Sequence, residues 1–453
     1  MKTRKVKTRS MTQGNIIGQI IGFSIPLLIG NLFQQLYNMV DSVVVGNFIG
    51  KEALAAVGSS YALIGLVVGL FVGISTGASV VVSQYYGARD EENMHKAVHT
   101  AMAVTFIGGI ILILLGVLLA NPVLTLMGTP KEVMGEASTY LRIFFLGSLF
   151  AAIYNMGSGI LRGVGDSRRP LYYLCLSSVV NIVLDLLFVV VFSMGVAGVA
   201  WATIIAQAVS AVFILRAMMG DKDIYRLELK KIRIYGDVFR KIMVMGVPSG
   251  VQGVIISLSN VIIQASINAF GADAMAGFSS YTKIDGIIMM AISSFGMAAM
   301  TFTGQNIGAK LYGRVKKGVR QTVLLSEAYT VVAVAVVLLF GRPLLGIFTR
   351  DPAVNAYGLE MMYTIAPLYV MLTLSEVLSG VFRGAGKSIL SMVMLIVNMV
   401  GVRLLWITIA GAIAPSFRMV IIGFGVSWFT AALTTGCYAW KGKWLNSGIA
   451  GES

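Results

Sequence analysis

Twelve apolar runs constrain this chain of 453 residues more than any other feature, each near or above the roughly 20 residues that cross a bilayer as a helix. Their approximate limits are 15–48, 54–86, 97–120, 134–160, 170–193, 196–219, 239–269, 274–307, 318–340, 356–381, 388–411 and 416–440. The runs are unbroken, whereas a β-barrel needs alternating strands of about ten residues. Only 12% of the residues are charged, against about 25% in soluble domains, so the pattern predicts an all-α polytopic membrane protein. The first, second, seventh and eighth runs exceed thirty residues, which requires tilting, bending or protrusion.

The net charge of +15 is carried by cations scattered between apolar runs, which fits membrane topology and not a nucleic-acid surface. With the N-terminus in the cytoplasm, 27 Lys and Arg fall on the cytoplasmic side and 5 on the other, so both termini are predicted to be cytoplasmic. The basic opening, MKTRKVKTRSMTQGN, reads as a cytoplasmic tail because no short apolar core with a cleavage site follows it. Cys175 and Cys437 lie within apolar runs and read as small core residues, not as a disulfide framework.

The longest polar interruption, 220–237, divides two halves that resemble one another. At an offset of 221, Gln84 matches Gln305, Gly87-Ala88 matches Gly308-Ala309, and GILRGVGD (159–166) matches GVFRGAGK (380–387). One residue out of that register, Pro26 matches Pro248 and Asn38 matches Asn260. Six spans per half is an even number, so the halves form a parallel repeat with a substrate site expected between them. The predicted organisation is a tail (1–14), an N-lobe (15–219), a linker (220–238), a C-lobe (239–440) and a second tail (441–453).

Within the first span, Gly30, Gln34, Tyr37 or Asn38, and Asp41 fall on one helical face. A carboxylate at membrane depth costs roughly 2.5–3.5 kcal/mol on insertion scales, so Asp41 is expected to face a cavity or a partner. Pro26, about four turns earlier, removes a backbone hydrogen bond and predicts a bend. Asn181 and Asp185 share a face of the fifth span at i, i+4, and Thr203 and Gln207 do so on the sixth. Asp41, Asn181, Asp185 and Thr203 together suit a hard cation such as Na⁺, and two adjacent carboxylates equally suit a shared proton. The second half has no matching acids, since Ile263 stands where the first half has Asp41.

Other ionisable groups read as structural. Asp285, Glu327, Glu360 and Glu376 lack support from the repeat, and Arg403 is a candidate counter-charge for one of them. His95 and His99 open the third span at i, i+4 beside a charged loop, which reads as a solvated face and not a metal pair. The 25 methionines suit a soft wall for flat cations, Met39, Met156, Met289 and Met290 lying in or near the polar-faced spans. The GVGD and GAGK turns lack phosphate-loop spacing and read as tight turns. Without a nucleophile–base arrangement, metal cluster or nucleotide motif, neither enzymatic activity nor a cofactor is expected.

Pro26, Asp41 with the following GNFIGKEALAAVG, Gln84-Tyr85-Tyr86-Gly87-Ala88, Gln305-Asn306-Ile307-Gly308-Ala309 and the duplicated Arg-Gly-x-Gly turns resemble the multidrug and toxic compound extrusion (MATE) family over nearly the whole chain. Within it the sequence looks like the branch of DNA-damage-inducible proteins and bacterial multidrug exporters. That resemblance implies twelve transmembrane helices in two six-helix bundles forming a V. It also implies an N-lobe site for the coupling ion, H⁺ or Na⁺, at Asp41, Asn181, Asp185 and Thr203. Cavity positions fall on Gln34, Tyr37, Asn38 and Asn155, with Pro26 as hinge. Another branch couples through a carboxylate on the seventh helix; residues 239–269 contain none. The implied protein is a monomeric plasma-membrane antiporter that exports cationic amphipathic drugs, toxins or metabolites. A lipid-linked precursor flippase of the same superfamily would want a more basic cavity. A major-facilitator-type carrier would want an Asp-Arg-x-Gly-Arg core that GARDEENMHK (87–96) lacks.

Overall fold

The computed structural model describes residues 10–220, 223–413, 416–442 and 444–445. Nearly all of the linker lies within these limits, whereas residues 1–9 of the first tail and most of the second lie outside them. Every regular element among the described residues is helical. In chain order these are α1 (Ile16–Val44), α2 (Lys51–Ala88), α3 (Glu91–Leu126), α4 (Lys131–Leu146), α5 (Ser148–Gly163), α6 (Arg168–Asp185), α7 (Gly195–Gly220), α8 (Gly236–Asn268), α9 (Ala272–Gly308), α10 (Tyr312–Leu339), α11 (Gly341–Gly346), α12 (Pro352–Ile365), α13 (Tyr369–Gly384), α14 (Ser388–Ile396), α15 (Arg403–Ile413) and α16 (Phe417–Lys441). Among the described residues, eleven helical stretches are long and apolar enough to cross a membrane, or twelve when α4 and α5 count as one bent span.

The α3 helix shows how sequence sets such a span. Asp90 caps its N-terminus by accepting from the Asn93 amide at 3.0 Å, and Glu91 and Glu92 occupy its first turn, where the helix dipole favours acids. Beyond that polar end, Ile107, Ile110, Ile111, Leu114, Leu115 and Leu118 form an exposed apolar stripe, with Leu118 at 70%. An apolar face turned outward is what hydrocarbon surroundings favour and water does not.

Five spans depart from simple helix. The fourth is broken by 48° at Gly147, where a Cβ would meet Ile204 Cγ1 at 2.5 Å, so only glycine lets α7 approach the break. The tenth passes through a 3₁₀ turn, Ala366–Leu368, at Pro367. Wide π turns extend α1 (Val45–Ile49), extend α6 (Leu186–Val191) and separate α14 from α15 (Val397–Val402). The two π turns of the first half pack on one another, and each follows closely on an acid-bearing stretch.

The described residues pack as two compact units, 25–247 and 10–24 with 248–445; one division point falls at Pro248 inside α8 and the other just before Pro26 inside α1. The opening of α1 thus belongs with the second unit and the opening of α8 with the first, whereas chain order assigns them the other way. In the second unit, the Met11 amide donates to Gln305 Oε1 at 2.8 Å. Asn306 Nδ2 and Arg314 Nε each donate to the Met11 carbonyl at 3.2 Å, and Arg314 Nη2 donates to Gln19 Oε1 at 2.9 Å. In the first unit the linker docks comparably: the Glu228 amide donates to His99 Nε2 at 3.0 Å and the Tyr235 amide to Thr100 Oγ1 at 3.2 Å. His99 is therefore fully buried beneath the linker, which corrects its reading as part of a solvated face. Cys437 is exposed and not a core residue, while Cys175 is half-buried.

The GVGD and GAGK segments are tight turns. Gly165 and Gly386 take φ of +89° and +85°, and the Asp166 and Lys387 amides each donate at 2.8 Å to carbonyls five residues back. That left-handed glycine closes each helix and satisfies its last carbonyls.

Candidate functional site

The first unit encloses a cavity of about 300 Å³ lined along α1 by Pro26, Leu27, Gly30, Asn31, Gln34, Tyr37, Asn38 and Asp41. These positions recur every three or four residues, so a single face of α1 forms one wall. Tyr154, Asn155 and Arg162 line it from α5, Ser177, Ser178 and Asn181 from α6, and Gln207 and Ser210 from α7. A cavity of this size falls within the range of small-molecule sites.

Asp41, Asn181 and Asp185 meet at one place in this unit, each at 3% exposure or less. Oriented with its N–H₂ toward the acids, Asn181 places Nδ2 at 2.9 Å from Asp41 Oδ1 and 3.2 Å from Asp185 Oδ2. The two carboxyl groups also hydrogen-bond one another. Asp41 and Asn181 reach the cavity wall, and Asp185 stands behind them with Oδ1 making no hydrogen bond among the described residues. Thr203 is buried on α7, where its hydroxyl donates to the Val199 carbonyl at 3.0 Å, and it is not among the lining residues.

The four expected cavity positions all line the wall, and Asn155 Nδ2 donates to the Ala151 carbonyl at 2.9 Å. Pro26 lies at one end of the same wall, opposite in sequence to Asp41. Sequence reasoning set Gln207 on one face with Thr203 without assigning it to the site, and passed over Ser210 and Arg162. Gln207 and Ser210 follow Thr203 at helical spacing, and that periodicity was the available signal. Gln207 Oε1 is buried without a hydrogen-bond partner among the described residues.

The second unit contains a separate cavity of about 380 Å³ lined by Asn260, Gln264, Tyr281, Asp285, Phe424 and Trp428, among others. Tyr369 donates to Asp285 and shares a hydrogen bond of 2.8 Å with Tyr281, while Trp428 stacks on Tyr369 with ring centroids 5.3 Å apart. Arg403 is not a counter-charge to any acid among the described residues. Its Nε donates to Ser427 Oγ at 3.1 Å and its guanidinium lies 4.6 Å from the Phe424 ring centroid. Glu376 pairs instead with Arg383 at 3.1 Å. No group of three or more metal-binding side chains of the His, Cys, Asp or Glu type occurs among the described residues.

A family model described as MatE matches residues 26–187 and again 248–409, so the duplication read from the sequence coincides with two copies of one module. The chain is 28% identical over 445 residues to the probable multidrug resistance protein YpnP of Bacillus subtilis, covering 97% of this chain and 98% of that one. It is 24% identical to the probable multidrug resistance protein NorM of Thermotoga maritima, covering 89% and 87%. A solved MATE structure in a bent conformation superposes with a TM-score of 0.91 at 24% identity, covering 96% and 97%.

Proposed function

The chain belongs to the MatE family of membrane transporters, and we propose that it exports small amphipathic molecules by alternating access, in exchange for H⁺ or Na⁺. The observation that carries this reading is the placement of Asp41 and Asn181 in the wall of a drug-sized cavity, with Asp185 directly behind them. Relatives from two bacteria are named as multidrug resistance proteins, which supports a broad range of small organic substrates, cationic ones among them.

Asp41 and Asp185 bind the coupling ion. The closeness of the two carboxyl groups, which lets them share one proton, favours H⁺ over Na⁺. A metal ion would want the carboxylates held apart by it. Thr203, which does not line the cavity, is the weakest member of the set. Entry of a proton neutralises the pair and removes the attraction for a cationic substrate lying along Gln34, Tyr37, Asn38 and Asn155. The loosened backbone at Pro26 is where α1 then bends. The 27-to-5 distribution of Lys and Arg supports cytoplasmic termini in a bacterial inner membrane, and we take the monomer as the transporting unit.

Purified protein in liposomes, loaded with a fluorescent cation and given a pH gradient or a Na⁺ gradient, tests both parts. We expect the pH gradient to drive transport in wild type and Asp41→Asn to reduce that transport at least tenfold. Wild-type rates in the variant would sink the mechanism, and transport driven by Na⁺ alone would reassign the ion.

A further inference from the structure

We propose that the Arg162 end of the first unit's cavity is a subsite for an acidic group, carboxylate or phosphate, on the transported molecule. The proposal rests on the reading of this cavity as the substrate site. It starts from a difference between the two copies of the repeat.

Packing sets the register between them. The α5 helix crosses α2 through Gly159 and Gly163, where added Cβ atoms would come within 2.8 Å of the Ser75 and Ser79 carbonyl oxygens. The α13 helix crosses α9 in the same way, Gly380 lying over Gly296 and Gly384 over Met300. Each contact in the second unit is 221 residues from its counterpart, and so are the turn glycines Gly165 and Gly386. Arg162 and Arg383 are therefore equivalent positions.

Their surroundings are not equivalent. Arg383 Nη2 pairs with Glu376 Oε1 at 3.1 Å, two helical turns earlier on the same face. The matching position in the first copy is Asn155, whose amide is neutral and donates to its own helix. Asp166, the nearest acid along the chain, is held by Arg169 at 2.7 Å. Arg162 has no acidic partner among the described residues, yet it lines the cavity. A half-buried guanidinium in a cavity wall without a counter-charge is costly, and an anion entering the cavity removes that cost. Arginine also offers the planar fork that binds carboxylate and phosphate through two hydrogen bonds.

The subsite is remote from the acids. Tyr154, beside Arg162, donates to the Pro170 carbonyl at 3.0 Å, which puts the arginine near the start of α6. Asn181 lies eleven residues further along that helix, a rise of ~16 Å. The cavity thus has a cationic end and an acidic end, and it accepts zwitterionic or acidic amphiphiles as well as simple cations.

Two dyes test this, a rhodamine with a free carboxylate and the methyl ester of the same molecule, each titrated by fluorescence polarisation with the purified full-length protein. Arg162→Gln is expected to weaken binding of the free carboxylate at least tenfold and to leave the ester within about twofold, with Arg162→Lys intermediate. Asn155→Glu, which rebuilds the pair of the second unit and keeps the arginine, should abolish any preference for the carboxylate form. Equal loss of both dyes, no loss of either, or an unchanged preference in Asn155→Glu would overturn the subsite. Wild-type binding of the ester alone overturns the subsite and leaves the substrate cavity standing. Binding of neither dye overturns the cavity reading itself.

Discussion

Oriented with its N–H₂ toward the acids, Asn181 places its carboxamide nitrogen 2.9 Å from Asp41 Oδ1, joining α6 to α1 at a point where both side chains are buried. One neutral amide thus holds an acid from each of two helices, because Asp185 lies 3.2 Å away on its other side. Replacing Asn181 by Leu keeps the volume and removes both donors. Losing a hydrogen bond to a charged group costs ~1.5–3 kcal/mol, so pH-driven transport is expected to fall at least tenfold. Transport in liposomes measures this, with thermal unfolding as the control for folding.

The two acids form one hydrogen-bonded unit, so their removal should not add. Asp41→Asn and Asp185→Asn are each expected to abolish most coupled transport, and the double variant to be within about threefold of the worse single one. Full multiplication of the two losses would mean that the acids act independently. The same liposome assay on all three variants distinguishes these outcomes.

Helix crossings at glycine give a stability prediction with an internal control. A Cβ on Gly380 would come within 2.9 Å of the Gly296 carbonyl carbon, whereas one on Gly253 or Gly286 would meet nothing within 4 Å. Gly380→Ala should therefore destabilise by ~1–3 kcal/mol through overpacking. Gly253→Ala and Gly286→Ala should be neutral or stabilising by up to about 1 kcal/mol, since Ala is the better helix former. Unfolding midpoints in detergent, compared across the three variants, test the difference.

In the second unit, the Tyr369 hydroxyl is bonded to both Asp285 and Tyr281. Tyr369→Phe withdraws a donor from a buried carboxyl group and is expected to cost ~1–3 kcal/mol. Tyr281→Phe leaves the Asp285 contact in place and should cost less. Thermal midpoints of the two variants rank these bonds, and equal effects would show that the Asp285 contact adds nothing.

Much of this architecture was legible because bilayer chemistry writes itself into sequence. Long apolar runs could only be helices, and the repeat was visible in Pro26 and Pro248 and in the two Arg-Gly-x-Gly turns. The helical face of α1 from Gly30 to Asp41 was a matter of periodicity, and so was the pairing of Asn181 with Asp185 on α6. Long-range packing was not legible. Nothing in the local sequence announces that Gly147 breaks a span because Ile204 sits against it, nor that His99 is covered by the Glu228 amide from another element. The π turns at 45–49 and 186–191 have no compositional mark. Thr203 fitted a cation site by residue type, but that it stands outside the cavity lining, its hydroxyl donating to the Val199 carbonyl, is something spacing alone does not decide. Arg162 was passed over because its meaning lies in a missing partner, seen only when Asn155 is set against Glu376.

The attachment of residues 10–24 to the second unit has a consequence for how the molecule is made. Met11 leaves the ribosome well before Gln305, which accepts from its amide and is 294 residues later in the chain. Asn306 and Arg314, which hold the Met11 carbonyl, come later still. The first helix therefore enters the membrane with its opening turns lacking their final neighbours, and most of the polypeptide must be inserted before they dock.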